Sequence, residues 1–191
     1  ALPISSFKLN DSKGCADALN KVVQKGVKDK EVFRMLGLSL VALGDCKQAM
    51  VSLTSAVSMG ISDKDVFSAL GTCQYQSGEY QPAAESLSRA ISSGAATKEN
   101  YLHKGLAEYE LKETDKAAID LEKAVSMGAK DQGAFHKLGD IRFTKSDFAG
   151  AIKNYDAAVA MGAKDAVLFN NRGKAKSQVK DVSGALADYD Q

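Results

Sequence analysis

Few side chains in this sequence have the type and spacing that chemistry requires. His136 and Asp140 are four residues apart, which on a helix places both on one face. An acid in that setting favours a basic or hydrogen-bond-donating guest. A metal would need a third and a fourth ligand, and the sequence has only one further histidine, His103. Cys15, Cys46 and Cys73 are odd in number and follow no CxxC spacing, so neither a zinc site nor a disulfide framework is indicated. Cys73 can be drawn as a nucleophile with His103 or His136 as its base. The sequence nevertheless contains no nucleophile elbow, no phosphate-cradling glycine loop and no HExxH. The expectation is a non-catalytic protein with no metal and no cofactor.

The elements that carry these residues are set by repetition. The stretch Lys130 to Ala163 returns at intervals of 34 residues. Gly37, Gly71, Gly105, Gly139 and Gly173 form one column, and Ala49, Ala83, Ala117, Ala151 and Ala185 a second. Gly26, Gly60, Gly94, Gly128 and Gly162 form a third, and Phe33, Phe67, Tyr101, Phe135 and Phe169 a fourth. An aromatic residue four before a glycine shares its helical face, so the ring can be buried while the glycine admits a second helix. The alanine twelve residues on is read as the small partner on that second helix, which implies mutual packing of Phe67, Gly71 and Ala83. Glycine after AVSM or AVAM closes a helix in the left-handed conformation. Asp29, Asp63, Thr97, Asp131 and Asp165 follow three residues later, each able to accept the free N–H groups of the next helix. The unit is helix, short turn, helix, short turn.

Counted from Lys30 as position 1, the repeat keeps an aromatic at 4, Leu-Gly at 7 and 8 (Leu36-Gly37, Leu70-Gly71, Leu138-Gly139), alanine at 20, a bulky residue at 24 (Leu53, Leu87, Leu121, Tyr155, Tyr189) and alanine at 27 (Ala56, Ala90, Ala124, Ala158). This pattern resembles the tetratricopeptide repeat (TPR) over about 160 residues. Two departures stand out: Gly-Ala or Gly-Ile replaces the family's proline near position 32. Its tyrosine at 11 becomes Leu40, Gln74, Glu108, Arg142 and Lys176. The resemblance implies an all-α, right-handed superhelical solenoid of about eleven antiparallel helices. The single array divides into a partial repeat 1–29, full repeats 30–63, 64–97, 98–131 and 132–165, and a truncated repeat 166–191. Residues 1–13 are expected to be the tail of a degenerate helix, with Phe7 and Asp11 in register and Pro3 shortening it. Residues 14–25 then form the second helix of that partial repeat. Pro82 falls in a first helical turn, where no N–H is lost. Asn10-Asp11-Ser12 has the form of a glycosylation sequon, a triplet common by chance.

The resemblance also implies function: a protein–protein interaction scaffold that holds a peptide or partner domain in a concave groove. The family's groove-facing positions include Asp65, Tyr75, Glu99, Tyr109, Glu110, His136, Asp140 and Phe143. Acids exceed bases there. Tyr75, Tyr109 and Phe143 share one column, as an aromatic ladder for a ligand or as packing against the next repeat. His136, Asp140 and Asn171 occupy three positions that elsewhere in the family form part of a carboxylate clamp for chaperone tails. No clamp can be assembled here, so that partner is not expected. The alternative role is a structural segment of a longer protein, in a secretion or envelope complex, acting through its ends or convex face. Leu186 and Tyr189 lack a covering helix, which leaves self-association through the C-terminal edge open.

Composition narrows the partners further. Twenty-five basic against 24 acidic residues give a net charge of +1, too little for a protein that neutralises phosphates, so no nucleic acid is expected. No apolar run approaches the roughly 18 residues of a membrane helix, and no membrane insertion is expected. The cysteines fall at repeat positions 20, 17 and 10, where small apolar residues belong, and are read as packing.

Overall fold

The computed structural model describes residues 12–191, and every regular element within them is an α-helix. In order these are α1 (Ser12–Gln24), α2 (Lys30–Ala42), α3 (Cys46–Ser58), α4 (Lys64–Gln76), α5 (Tyr80–Ser92), α6 (Lys98–Glu110), α7 (Thr114–Ser126), α8 (Gln132–Thr144), α9 (Phe148–Ala160), α10 (Ala166–Gln178) and α11 (Val182–Tyr189). Strand is absent among the described residues. Pro3, Phe7, Asp11 and the Asn10 sequon lie outside them. None of the described helices is long and apolar enough to cross a membrane.

Helix starts follow from the caps. Asp29 accepts the N–H groups of Glu31 and Val32 at 2.8 and 3.2 Å. Asp63, Thr97, Asp131 and Asp165 do the same for α4, α6, α8 and α10. Each such bond is worth about 1 kcal/mol. The second helices start at Asp45, Asp147 and Asp181, which accept from Gln48, Gly150 and Gly184. Glu79 and Glu113 hold the same place without a capping bond, because the extra methylene carries the carboxylate past the N–H groups.

Helix ends divide into two kinds. The helices α1, α3, α5, α7 and α9 close on the glycine column, with φ between 83° and 99°. The first helix of each pair closes on Gly44 and Gly78, but then on Lys112, Ser146 and Lys180, with φ of 63°, 61° and 67°. In every case the following N–H returns to the carbonyl five residues earlier, as from Asp45 to Leu40 and Glu113 to Glu108, both 2.9 Å.

The core is strung along the array, one cluster between each neighbouring set of helices. The alanines at positions 20 and 27 of the four full repeats are all fully buried. The helical glycines do not pack chiefly on those alanines, which corrects the expected Phe67, Gly71, Ala83 contact. A Cβ on Gly71 would lie 2.6 Å from Leu87, and one on Gly139 would lie 2.5 Å from the ring of Tyr155. The glycine column therefore serves the bulky residue sixteen positions on. Phe67 clusters with Ala90 and Ala95, and Ala83 with Ala84 and Ala107.

A second correction concerns the cysteines. Cys46, the first residue of α3, and Cys73, in the second half of α4, are joined by a disulfide across 27 residues, with Cα atoms 5.1 Å apart. Stacking one repeat on the next brings position 17 beside position 10, a proximity that spacing along the chain does not reveal. Cys15 is free and packs in the first core cluster.

Candidate functional site

Asp140 is the point on which the groove is built. Its Oδ1 accepts hydrogen bonds from the Tyr155 hydroxyl at 2.8 Å and from the Asn171 amide at 3.0 Å. Its Oδ2 accepts from the Tyr109 hydroxyl at 3.0 Å. The donors come from α9, α10 and α6, so one carboxylate on α8 ties together four helices. Burial, followed by the negative charge of Asp140, pushes both phenols well above the ordinary tyrosine value. They remain protonated and act as donors.

His136 stands between two acids. Its Nε2 is 3.6 Å from Asp140 Oδ2 and its Nδ1 is 3.6 Å from Asp165 Oδ2. Nε2 is buried and makes no hydrogen bond. Around these groups lies an open cleft of about 520 Å³. Tyr109, His136, Asp140, Phe143 and Asn171 line it, together with Lys137, Thr144, Asp165 and Val167. Five of the nine residues expected in the groove thus converge on one place.

The other four do not reach it. Asp65, Glu99 and Glu110 are exposed, with Glu110 3.8 Å from Lys137. Tyr75 stacks on His103, ring centroids 5.3 Å apart, and His103 Nδ1 lies 3.3 Å from the Thr72 hydroxyl. Burial holds His103 below the usual histidine value, against the pull of Asp131 and Glu99. The aromatic column is divided among separate partners: Tyr75 on His103, Tyr109 beneath the Lys137 ammonium at 4.5 Å, and Phe143 edge-on to Phe148 at 5.5 Å.

Sequence reasoning did not place Tyr155, Lys137 or Asp165 in the groove, whereas Val167 falls at a groove-facing position of the repeat. Tyr155 carried a signal, since position 24 changes from leucine to tyrosine just where an acid appears at position 9. The hydroxyl reaches Asp140 because Gly139 leaves room for the ring.

The architecture is that of a helical-repeat solenoid with a groove built on the first helices of successive pairs. A family model described as the tetratricopeptide repeat matches residues 68–134. Among solved structures, YrrB is similar at 18% identity, with 92% of this chain and 90% of that one covered and a TM-score of 0.72. MamA is similar at 19% identity, covering 81% and 91%, with a TM-score of 0.66. Pseudomonas aeruginosa PilF is similar at 14% identity, covering 93% and 90%, also with a TM-score of 0.66. No significant match is found among curated proteins. The fold is that of a tetratricopeptide-repeat solenoid, and residues 68–134 match that family's model.

Proposed function

We propose that this chain is a non-catalytic protein–protein interaction scaffold that holds a peptide or partner domain in its groove, with the cleft over α6, α8 and α10 as the main contact. The observation that carries this reading is the convergence of Tyr109, His136, Asp140, Phe143 and Asn171 on one open cleft. YrrB, which shares the fold, is described as a TPR protein with an unusual peptide-binding site.

The geometry refines the chemistry of the guest. Asp140 already accepts three internal hydrogen bonds, so its charge is largely satisfied within the protein. The groups left for a guest are the Asn171 carbonyl oxygen, Asp165 and the Lys137 ammonium. Phe143 and the 58% exposed Val167 supply an apolar anchor. A peptide with one apolar side chain and its own backbone amides fits this set. Charge attraction from Asp65, Glu99 and Glu110 then steers association more than it adds affinity.

A photo-cross-linking amino acid at Val167, compared with one at Ile119, exposed on α7 away from the cleft, tests the proposal. Adducts from position 167 alone are the expected result. Adducts from Ile119 with none from Val167 would remove the cleft as the binding surface. A second reading, assembly through the end of the array, is favoured by α11: Val182, Leu186 and Tyr189 are 64%, 59% and 49% exposed. Concentration-dependent sedimentation that Leu186→Glu abolishes would support it.

A further inference from the structure

A second crevice of about 350 Å³, sharing no lining residue with the groove cleft, lies between α5 and α7, with Glu108 of α6 in its wall. Glu108 is only 2% exposed, and its Oε2 has no hydrogen-bond partner. Its nearest cation is Lys104 at 2.8 Å. That ammonium is shared with Asp120, itself buried. Two buried carboxylates thus share one ammonium, and the cluster lacks one positive charge.

The neighbouring repeats show how such a cluster is completed. On α8, Arg142 occupies the place of Glu108, and Glu122 from the preceding second helix meets it at 3.0 Å. On α10, Arg172 and Lys176 hold Asp188, and Asp156 from the preceding second helix meets Arg172 at 2.9 Å. Glu122 and Asp156 occupy one repeat position, and the corresponding residue above Glu108 is Ser88. Where the other two repeats carry a compensating charge, this one carries a neutral side chain beside an open crevice.

The cations in the wall are committed elsewhere. The Arg89 guanidinium lies 5.7 Å from the ring centroid of Phe67, and Lys116 pairs with Glu113 at 2.9 Å. Glu85 accepts from Gln81 at 3.0 Å. Among the described residues no three metal-ligating side chains converge, so a metal ion is a poor candidate. A guanidinium or ammonium group brings its own donors, needs only one free carboxylate oxygen, and fits beside Ser88.

We propose that this crevice is a docking point for an arginine or lysine side chain of a partner protein, which would supply Glu108 with the cation that Ser88 does not. The site is independent of the groove, and each can fail without the other. Burial, opposed by Lys104, pushes Glu108 up to about 7. The charged groups facing it are Lys104 on α6, Glu113 at the start of α7, Asp120 and Lys116 on α7, and Glu85 and Arg89 on α5. Glu108 is the member whose protonation would abolish the demand for a cation, so binding should fail in acid.

The test is an NMR titration with acetyl-Gly-Arg-Gly-amide, using acetyl-Gly-Gly-Gly-amide as control. At pH 8 the arginine peptide should give saturable shifts at the amides of Ser88, Glu108 and Glu113, and none at Asp140. At pH 5 the affinity should fall about tenfold or more. Glu108→Gln should abolish the response, and Ser88→Arg, which fills the position from within, should block it. Should Glu108→Gln fail to fold, Ser88→Arg decides. Absent or non-saturable shifts, or undiminished binding in Ser88→Arg, would overturn the proposal.

Discussion

The hydroxyl of Tyr155 reaches Oδ1 of Asp140 from beneath the groove floor, 2.8 Å away, through the space left by the missing side chain of Gly139. A fully buried residue of the second helix thereby orients an acid in the cleft. Tyr155→Phe keeps the ring and removes the donor to a charged acceptor, so it should cost about 1.5 to 3 kcal/mol in urea unfolding. A loss below 0.5 kcal/mol would mean that the carboxylate is held by Tyr109 and Asn171 alone.

Gly139→Ala tests the same passage from the other side. The new methyl would meet the Tyr155 ring well inside van der Waals distance. An overpacked core of this kind loses about 1 to 3 kcal/mol, and here the Tyr155 to Asp140 bond should be disturbed as well. Double-mutant analysis with Tyr155→Phe should therefore show strong non-additivity.

Much of this arrangement can be read from the repeat. The aspartate and threonine caps, the closing glycines and the helix count follow from local chemistry repeated every 34 residues. Long-range pairings do not. Nothing in the spacing of Cys46 and Cys73 brings them together, because their contact arises only when one helix pair stacks on another. Asp140 was legible as a groove acid, but its internal partners Tyr109 and Asn171 lie 31 residues away on either side. Their convergence depends on the pitch of the array.

Lys112, Ser146 and Lys180 occupy a left-handed turn that Gly44 and Gly78 fill elsewhere. The side chain costs free energy in that conformation. Lys112→Gly should raise stability by about 0.5 to 1 kcal/mol, where glycine inside a helix would lower it by a similar amount. Thermal unfolding of Lys112→Gly beside Lys112→Ala separates the backbone effect from loss of the charge.

The Cys46–Cys73 disulfide closes a loop of 27 residues. By the chain-entropy relation, a loop of that size stabilises by about 3 to 4 kcal/mol. Reduction, or the double substitution of both cysteines by serine, should lower the unfolding temperature. Cys15→Ser should leave the reduction-sensitive fraction unchanged.

Glu108 predicts a pH effect of definite sign. Its folded value is raised to about 7, above the ordinary carboxylate value of 4.5. The folded state therefore binds the proton more tightly, and the contribution is stabilising below about 4.5 and lost as pH rises to 7. Glu108→Gln cannot titrate, so its stability relative to the parent should rise between pH 5 and pH 7.5, on the order of 2 kcal/mol. Titration of the two histidines is common to both proteins and cancels in the difference. A flat difference across that range would place the titration elsewhere.

The covalent tie between α3 and α4 also governs how the array responds to tension. A stack of helix pairs pulled from its ends pays out chain one repeat at a time, as a spring unwinds coil by coil. With the sulfurs joined, the 26 residues between them are hidden from the pulling axis, and roughly 90 Å of extended length is withheld. The oxidised protein would behave as a spring with one coil soldered, shorter at full stretch than its reduced form by that amount.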